Sequence, residues 1–407
     1  MKRAFACSGQ ADRAKGEIMG IWTDIKSSHA PALSFMAMGM AWAAFAAQVP
    51  VLKAQIGASD AGFGLSFLVS SIGALTAMWL ASRVDRRFGA RSVQMAAAAV
   101  ALVFVLPSLT TGLVTFTIAM TVVAMSSGVS DILMNARVSE IEAARKRPLM
   151  NLNHALFSFA YAGTALATGV AREAGFGPFV VFSVVGLITL IMCRYMHSPH
   201  TGSVGEPANA PTRVNNALVW MIGFVVLAAF FAEQAVEGWS ALHLERSLGG
   251  DAVQGALGPA ILGLTMGFGR LFGQVVAAHV RDTVMIGIAC FIAAIGLGLT
   301  SLAPTLLMAY LGFGLAGLGI SVVVPLAMGL AGRVVPQSER VAAIGQVTVI
   351  GYGAFLLGPG VMGLTSDAFG LPVAFMLVAI VLVLVAILLA PVIARRVLMS
   401  DAQYPAE

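Results

Sequence analysis

The chain has 407 residues, 58% of them hydrophobic and only 11% charged, whereas soluble domains carry about 25% charged residues. A chain this apolar lacks the polar surface of a water-soluble fold, so lipid is the solvent for much of it. The net charge of +5 comes with no basic cluster interleaved with aromatics, which argues against a nucleic-acid partner and for orientation in a membrane.

No long apolar stretch follows Lys2 and Arg3 before Asp12, so no cleaved signal peptide is expected and 1–30 reads as a cytoplasmic segment. Twelve apolar runs follow, near 31–50, 61–81, 92–110, 112–136, 150–171, 177–193, 216–236, 252–280, 283–302, 304–331, 341–364 and 371–393. Each is close to the roughly 20 residues that a bilayer core about 30 Å thick requires. The fold class expected is an all-α membrane protein of twelve transmembrane helices in two six-helix bundles, 31–193 and 216–393. A Pro/Gly/Asn-rich cytoplasmic linker, 194–215, joins them, and 394–407 is a cytoplasmic tail. With the N-terminus inside, cytoplasmic segments hold 20 Lys and Arg, and the opposite segments hold only Lys53, Arg172 and Arg246. That asymmetry obeys the positive-inside rule. Arg172, Glu173 and Asp367 are expected in outside loops. Cys7, Cys193 and Cys290 lie far apart, without metal-ligand or redox spacing.

The halves echo each other. "GTALATGVAREAGFGPFVVF" (163–182) aligns with "LLGPGVMGLTSDAFGLPVAF" (356–375), so that Gly169 meets Gly363, Glu173 meets Asp367 and Pro178 meets Pro372. Two similar halves are how many secondary transporters build a central site.

"ASRVDRRFGARSV", between the second and third runs, resembles the loop motif of the major facilitator superfamily through Asp85, Arg86, Gly89 and Arg91, with Ala81 where a Gly is usual. Physically, such a segment locks neighbouring helix ends, Asp85 pairing with an arginine or a helix N-terminus and the arginines with helix C-termini. "SDILMN" fits the acid-x-x-x-Asn pattern of the fucose permease-like branch. "NHALFSFAYAG", "FFAEQAVEGWS" and "GYGAFLLGPGVMG" are similar to segments of an uncharacterised bacterial inner-membrane group within that branch. The resemblance implies a multi-pass transporter of the bacterial inner membrane, termini cytoplasmic, with proton coupling at Asp131.

The intramembrane polar residues are the candidate site. Asp131 and Asn135 share a helix face. A charged carboxylate in hydrocarbon costs at least about 2.5 kcal/mol, so Asp131 faces water, pairs with a cation such as Arg137, or holds a proton. Glu233 and Glu237 repeat this spacing as further proton-coupling candidates. Gly238 and Trp239 after them suggest a bend or break, with Trp239 in an aromatic wall or interfacial belt. Candidate solute contacts are Asn135, Gln48, Gln234, Tyr352, Phe355, Trp42, Phe45, His154 and Arg270. For Arg270 an interhelical clamp is an equal alternative, and for His154 a structural role near the helix end. No P-loop, metal cluster or Ser/His/Asp arrangement stands out, so neither an enzyme nor a cofactor is expected. The reading is a monomeric secondary active transporter of a small solute, proton-coupled, working by alternating access. The solute is open between a sugar, another polar metabolite and an effluxed amphipathic drug. A channel and a non-transporting sensor or scaffold are the alternative classes.

Overall fold

The structure is a computed structural model that describes residues 22–198, 214, 216–277 and 280–403. The expected N-terminal segment through residue 21, and linker residues 199–213 and 215, lie outside the described residues. Within them the chain runs as α1 (His29–Gln55), α2 (Asp60–Phe88), α3 (Ser92–Val103, prolonged by a 3-10 turn at Leu106–Leu109), α4 (Leu113–Arg145), α5 (Met150–Glu173) and α6 (Pro178–Met192). The second half runs as α7 (Ala217–Leu242), α8 (Ala252–Ala277), α9 (Asp282–Ser301), α10 (Leu306–Arg333), α11 (Arg340–Phe369) and α12 (Leu371–Leu384, continued by a π turn into Ala390–Gln403). These helices coincide with the twelve apolar runs. Several outrun them, because polar residues at a helix end can reach water: α2 continues through Arg86 and Arg87, and α4 through Glu140 and Arg145. Gly89, at φ +51°, stops α2 in a backbone conformation that suits glycine.

Among the described residues, ten segments are long and apolar enough to cross a membrane, one of them uniting α2 and α3. Helix α5 is not among them, since Asn151, Asn153, His154 and Ser158 dilute its first half. A helix that polar needs protein or water around it rather than lipid.

The halves meet along two seams: α5 packs on α8, and α11 on α2. The internal repeat explains both. A Cβ on Gly169 of α5 would come within 2.6 Å of Ala256 Cβ on α8. One on its repeat partner, Gly363 of α11, would come within 2.9 Å of Gly64 Cα on α2. Matching glycines therefore let each half's backbone into the other. On α8, Gly263 and Gly267 do the same against Tyr161 and Phe159 of α5, which sets the register of that seam.

The α2–α11 seam leaves no room for a side chain, and Gly163 faces open space. Gly363→Val is expected to lower thermal stability of the purified protein by about 1–3 kcal/mol through overpacking, and Gly163→Val to leave it unchanged. Equal melting temperatures would show that the seam yields.

Candidate functional site

Three polar clusters lie between or beneath the helices. The first is at the end carrying the α2–α3 loop. Arg137, 1% exposed, pairs with Asp85, which is 0% exposed, and with Glu140 at 2.8 Å. Ser92, the first residue of α3, donates to Asp85 at 2.8 Å. Of the partners expected for Asp85, an arginine is present, and Ser92 adds its side-chain hydroxyl. The motif's own Arg86 and Arg91 are exposed and make no part of this cluster. Arg137 is a buried residue inside α4, not a loop cation, and its pairing with Asp85 removes it as a partner for Asp131.

The second cluster lies at the opposite end and was not anticipated. Asp60, 4% exposed, opens α2 and accepts two hydrogen bonds from Arg246, at 2.8 and 2.5 Å. Lys53 pairs with it at 2.9 Å and Ser366 of α11 donates to it. The Asp60 amide donates to Asp367 at 3.1 Å. Beside it, Arg172 of α5 forks onto Glu245 at 2.7 and 2.9 Å and onto Ala47 O. Arg172, Glu173 and Asp367 thus belong to helix ends, not to outside loops. Glu245 and Arg246 are consecutive residues of a π turn, His243–Ser247, that ends α7. The wider turn lets one reach α5 and the other α2. Helix α7 passes through Gly238 without a break. Trp239 is buried and meets Phe63 of α2 edge-on at 5.8 Å, so it is an inter-half contact and not a belt residue.

The third cluster is central. Asp131 accepts from Asn135 at 3.1 Å and from Tyr352 of α11, across the halves, at 3.4 Å. No ion pair reaches Asp131 among the described residues. Tyr352 and Phe355 pack with Phe230 of α7, one turn before Glu233. Glu233 pairs with Arg270 at 3.4 Å, and Arg270 crosses to α5, donating to Ser158 at 2.5 Å and to His154 O. Arg270 thus pairs with a glutamate and bridges α8 to α5 and α7, the arrangement of an interhelical clamp. Gln234 donates to Glu237 at 2.9 Å. Tyr161, 1% exposed, lies in the field of both glutamates, with its hydroxyl unpartnered.

The remaining candidates are more peripheral. His154 presents its ring edge-on to Phe35 at 4.8 Å and joins the cluster through its carbonyl, as a structural residue would. Trp42 packs on Phe45 and Phe104, and Phe45 on Phe67. Gln48 is fully buried with both amide atoms unpartnered.

The two ends differ. At the Asp60 end, ion pairs, the glycine seams and Trp239 close the halves together. Toward the other end, the described inter-half hydrogen bonds go no further than Tyr352–Asp131 and Arg270–His154. Tyr352 is 45% exposed although it stands between the halves. Among the described residues, contacts between the halves are therefore fewer toward the basic end.

The family model for the Major Facilitator Superfamily matches residues 32–351 and 279–405. An uncharacterised MFS-type transporter of Yersinia pestis is 33% identical over 87% of this chain and 92% of its own. Membrane protein MosC of Rhizobium meliloti is 27% identical over 88% of each. Among solved structures, a bacterial homologue of the human lysosomal transporter Spinster, in an inward-facing and occupied conformation, superposes with TM-score 0.69 at 14% identity over 93% of this chain and 97% of that one. The nucleoside transporter NupG superposes with TM-score 0.71 at 13% identity over 91% and 99%.

The first cluster yields a stability prediction. Arg137→Met strips a buried carboxylate of its guanidinium and is expected to cost about 3 kcal/mol. Glu140→Gln, at a partly exposed rim position, is expected to cost less than about 1 kcal/mol. Thermal unfolding in detergent separates the two, and equal losses would place the cluster's energy elsewhere.

Proposed function

The chain belongs to the major facilitator superfamily of membrane transporters, and from that premise we propose that it is a proton-coupled secondary active transporter of a small solute that works by alternating access. Its moving bodies are 31–193 and 216–393, joined by 194–215. It sits as a monomer in a bacterial inner membrane with both termini cytoplasmic, the orientation favoured by the charge asymmetry. The conformation described is then open to the cytoplasm and latched outside.

One observation carries the reading. Polar groups of both halves meet around Asp131, Tyr352, Glu233 and Arg270, between halves whose ion pairs gather at the Asp60 end. The latch suits a reversible gate. Arg246 is 43% exposed and its cluster borders an open recess of about 470 Å³. Each pair joins a nearly buried group, Asp60 at 4% or Arg172 at 8% exposure, to a partner with more access to water, Arg246 or Glu245. A few of them bias an equilibrium without freezing it. Asp131, held by a hydroxyl and an amide but no cation, is the proton site, and Asn135, Tyr352 and Phe355 line the path beside it.

A membrane-impermeant maleimide tests alternating access, using Tyr352→Cys in a chain whose native cysteines are replaced. Labelling from the cytoplasmic face is expected, with outside labelling rising several-fold when Asp60→Asn and Glu245→Gln open the latch. Labelling only after the membrane is dissolved would overturn the reading. For coupling, Asp131→Asn is expected to abolish solute-driven proton movement while leaving solute counterflow intact. Unchanged proton movement would remove Asp131 from that role.

A further inference from the structure

Helix α2 is two-faced. Gly73, Ala77, Ala81 and Asp85 are buried, whereas Ile72, Leu75, Trp79, Arg83 and Arg86, also spaced three or four residues apart, form an exposed stripe. Its apolar part is open, with Leu75 63% and Trp79 60% exposed. Arg83 does not use its length in the usual way. A basic side chain at the end of a span ordinarily reaches outward to water. This one turns back along the helix: its Nη1 donates to Trp79 O at 2.9 Å, and its guanidinium carbon lies 3.1 Å from the centroid of the Trp79 ring. The charge is thus held at the level of Trp79, within the apolar run 61–81 and not beyond it. The carbonyl takes one N–H and the ring covers one face, whereas a guanidinium has five N–H donors. Among the described residues no carboxylate pairs with Arg83, Arg86, Arg87 or Arg91, all four of them exposed. The acid of this segment, Asp85, is buried against Arg137 and Ser92.

A guanidinium held on an aromatic face, further arginines one turn beyond it and an open apolar stripe running away from it are complementary to an anion that carries acyl chains. A phosphodiester accepts the forked N–H donors of an arginine, and tryptophan rings sit at the depth of lipid headgroups. A zwitterionic headgroup brings its own cation among exposed arginines, whereas an anionic one does not. Inorganic phosphate would match the arginines and leave the stripe unused. An acidic polypeptide would match the outer arginines and leave Trp79 uncovered. We propose that Arg83, seated on Trp79 with Arg86 one turn beyond, binds the phosphate of an anionic phospholipid whose chains lie along Leu75 and Ile72. The site is independent of what the protein carries.

Native mass spectrometry of the full chain in detergent tests this, with dimyristoyl phosphatidylglycerol and dimyristoyl phosphatidylcholine as matched probes that differ only in headgroup. Phosphatidylglycerol is expected to be retained several-fold more than phosphatidylcholine. Arg83→Gln is expected to abolish that preference and Trp79→Leu to weaken it. Arg395→Gln, which removes an exposed arginine of the other half, is expected to leave it unchanged. Both stripe residues are exposed, and unfolding temperatures measured in phosphatidylcholine show that the variants fold. The wild-type comparison needs no variant. Equal retention of the two lipids would overturn the site, and so would a loss in Arg395→Gln as large as in Arg83→Gln, which would reduce it to general surface charge. Competition separates the other occupants. Glycerol phosphate or polyglutamate is expected to displace the lipid poorly; displacement by the first at equal concentration would reassign the arginines to a free phosphate, and by the second to an acidic protein.

Discussion

A charge buried among apolar helices must be neutralised, hydrated or given up, and this constraint organises the whole interior. The chain has few charges to spend, and those it places between helices are grouped by the way the constraint is met. Asp85 and Arg137 meet it by mutual burial with Ser92 in support. Asp60, Arg246, Glu245 and Arg172 meet it by pairing across the halves at an end open to solvent. Asp131 and Glu237 meet it with neutral donors alone. The three solutions differ in how easily they are undone. A fully buried pair is costly to break from one side, whereas a half-solvated pair exchanges its partner for water at little cost. The joint within one half and the joint between the halves are therefore chemically distinct.

Geometry enforces the same division. The glycine pairs at Gly169 and Gly363 occur at equivalent points of the two seams, so closure at that end is near-symmetric in backbone although its charges are not. Close backbone approach gives dispersion contacts without interlocking side chains. Such a seam can part and re-form without a side chain having to change rotamer.

How much of this was legible in the sequence follows from the range of each interaction. Helix positions were legible because hydrocarbon thickness acts on every run separately. The pairing of Asp131 with Asn135 and of Glu233 with Glu237 on common faces followed from helical spacing, and the inter-half glycines were visible as a repeat. Contacts over long separations were not. Asp60 and Arg246 lie 186 residues apart, and each read alone is an ordinary charge near a helix end. One signal was available. Lys53, Arg172 and Arg246 are the three basic residues on the end where basic residues are scarce, and every one of them is engaged by an acid. Arg137 was misplaced because α4 outruns its apolar run, which a window of hydropathy cannot register. Trp239 was left between an aromatic wall and an interfacial belt, because its edge-on fit to Phe63 depends on the second half arriving.

Helix α7 carries both the unneutralised acid of the central cluster and the two latch residues. Glu237 and Glu245 are eight residues apart, about 12 Å at 1.5 Å per residue, with no break at Gly238 and a π turn at the latch. A straight, buried helix transmits displacement along its axis with little loss, since close-packed interiors have low compressibility. Glu237 therefore stands on the same helix whose last turn holds Arg172 and Asp60. The π turn is the compliant part of that element, being the one place where its hydrogen-bond register changes. The central cluster and the ion pairs at the end are thereby joined through one helix, with no intermediary loop required.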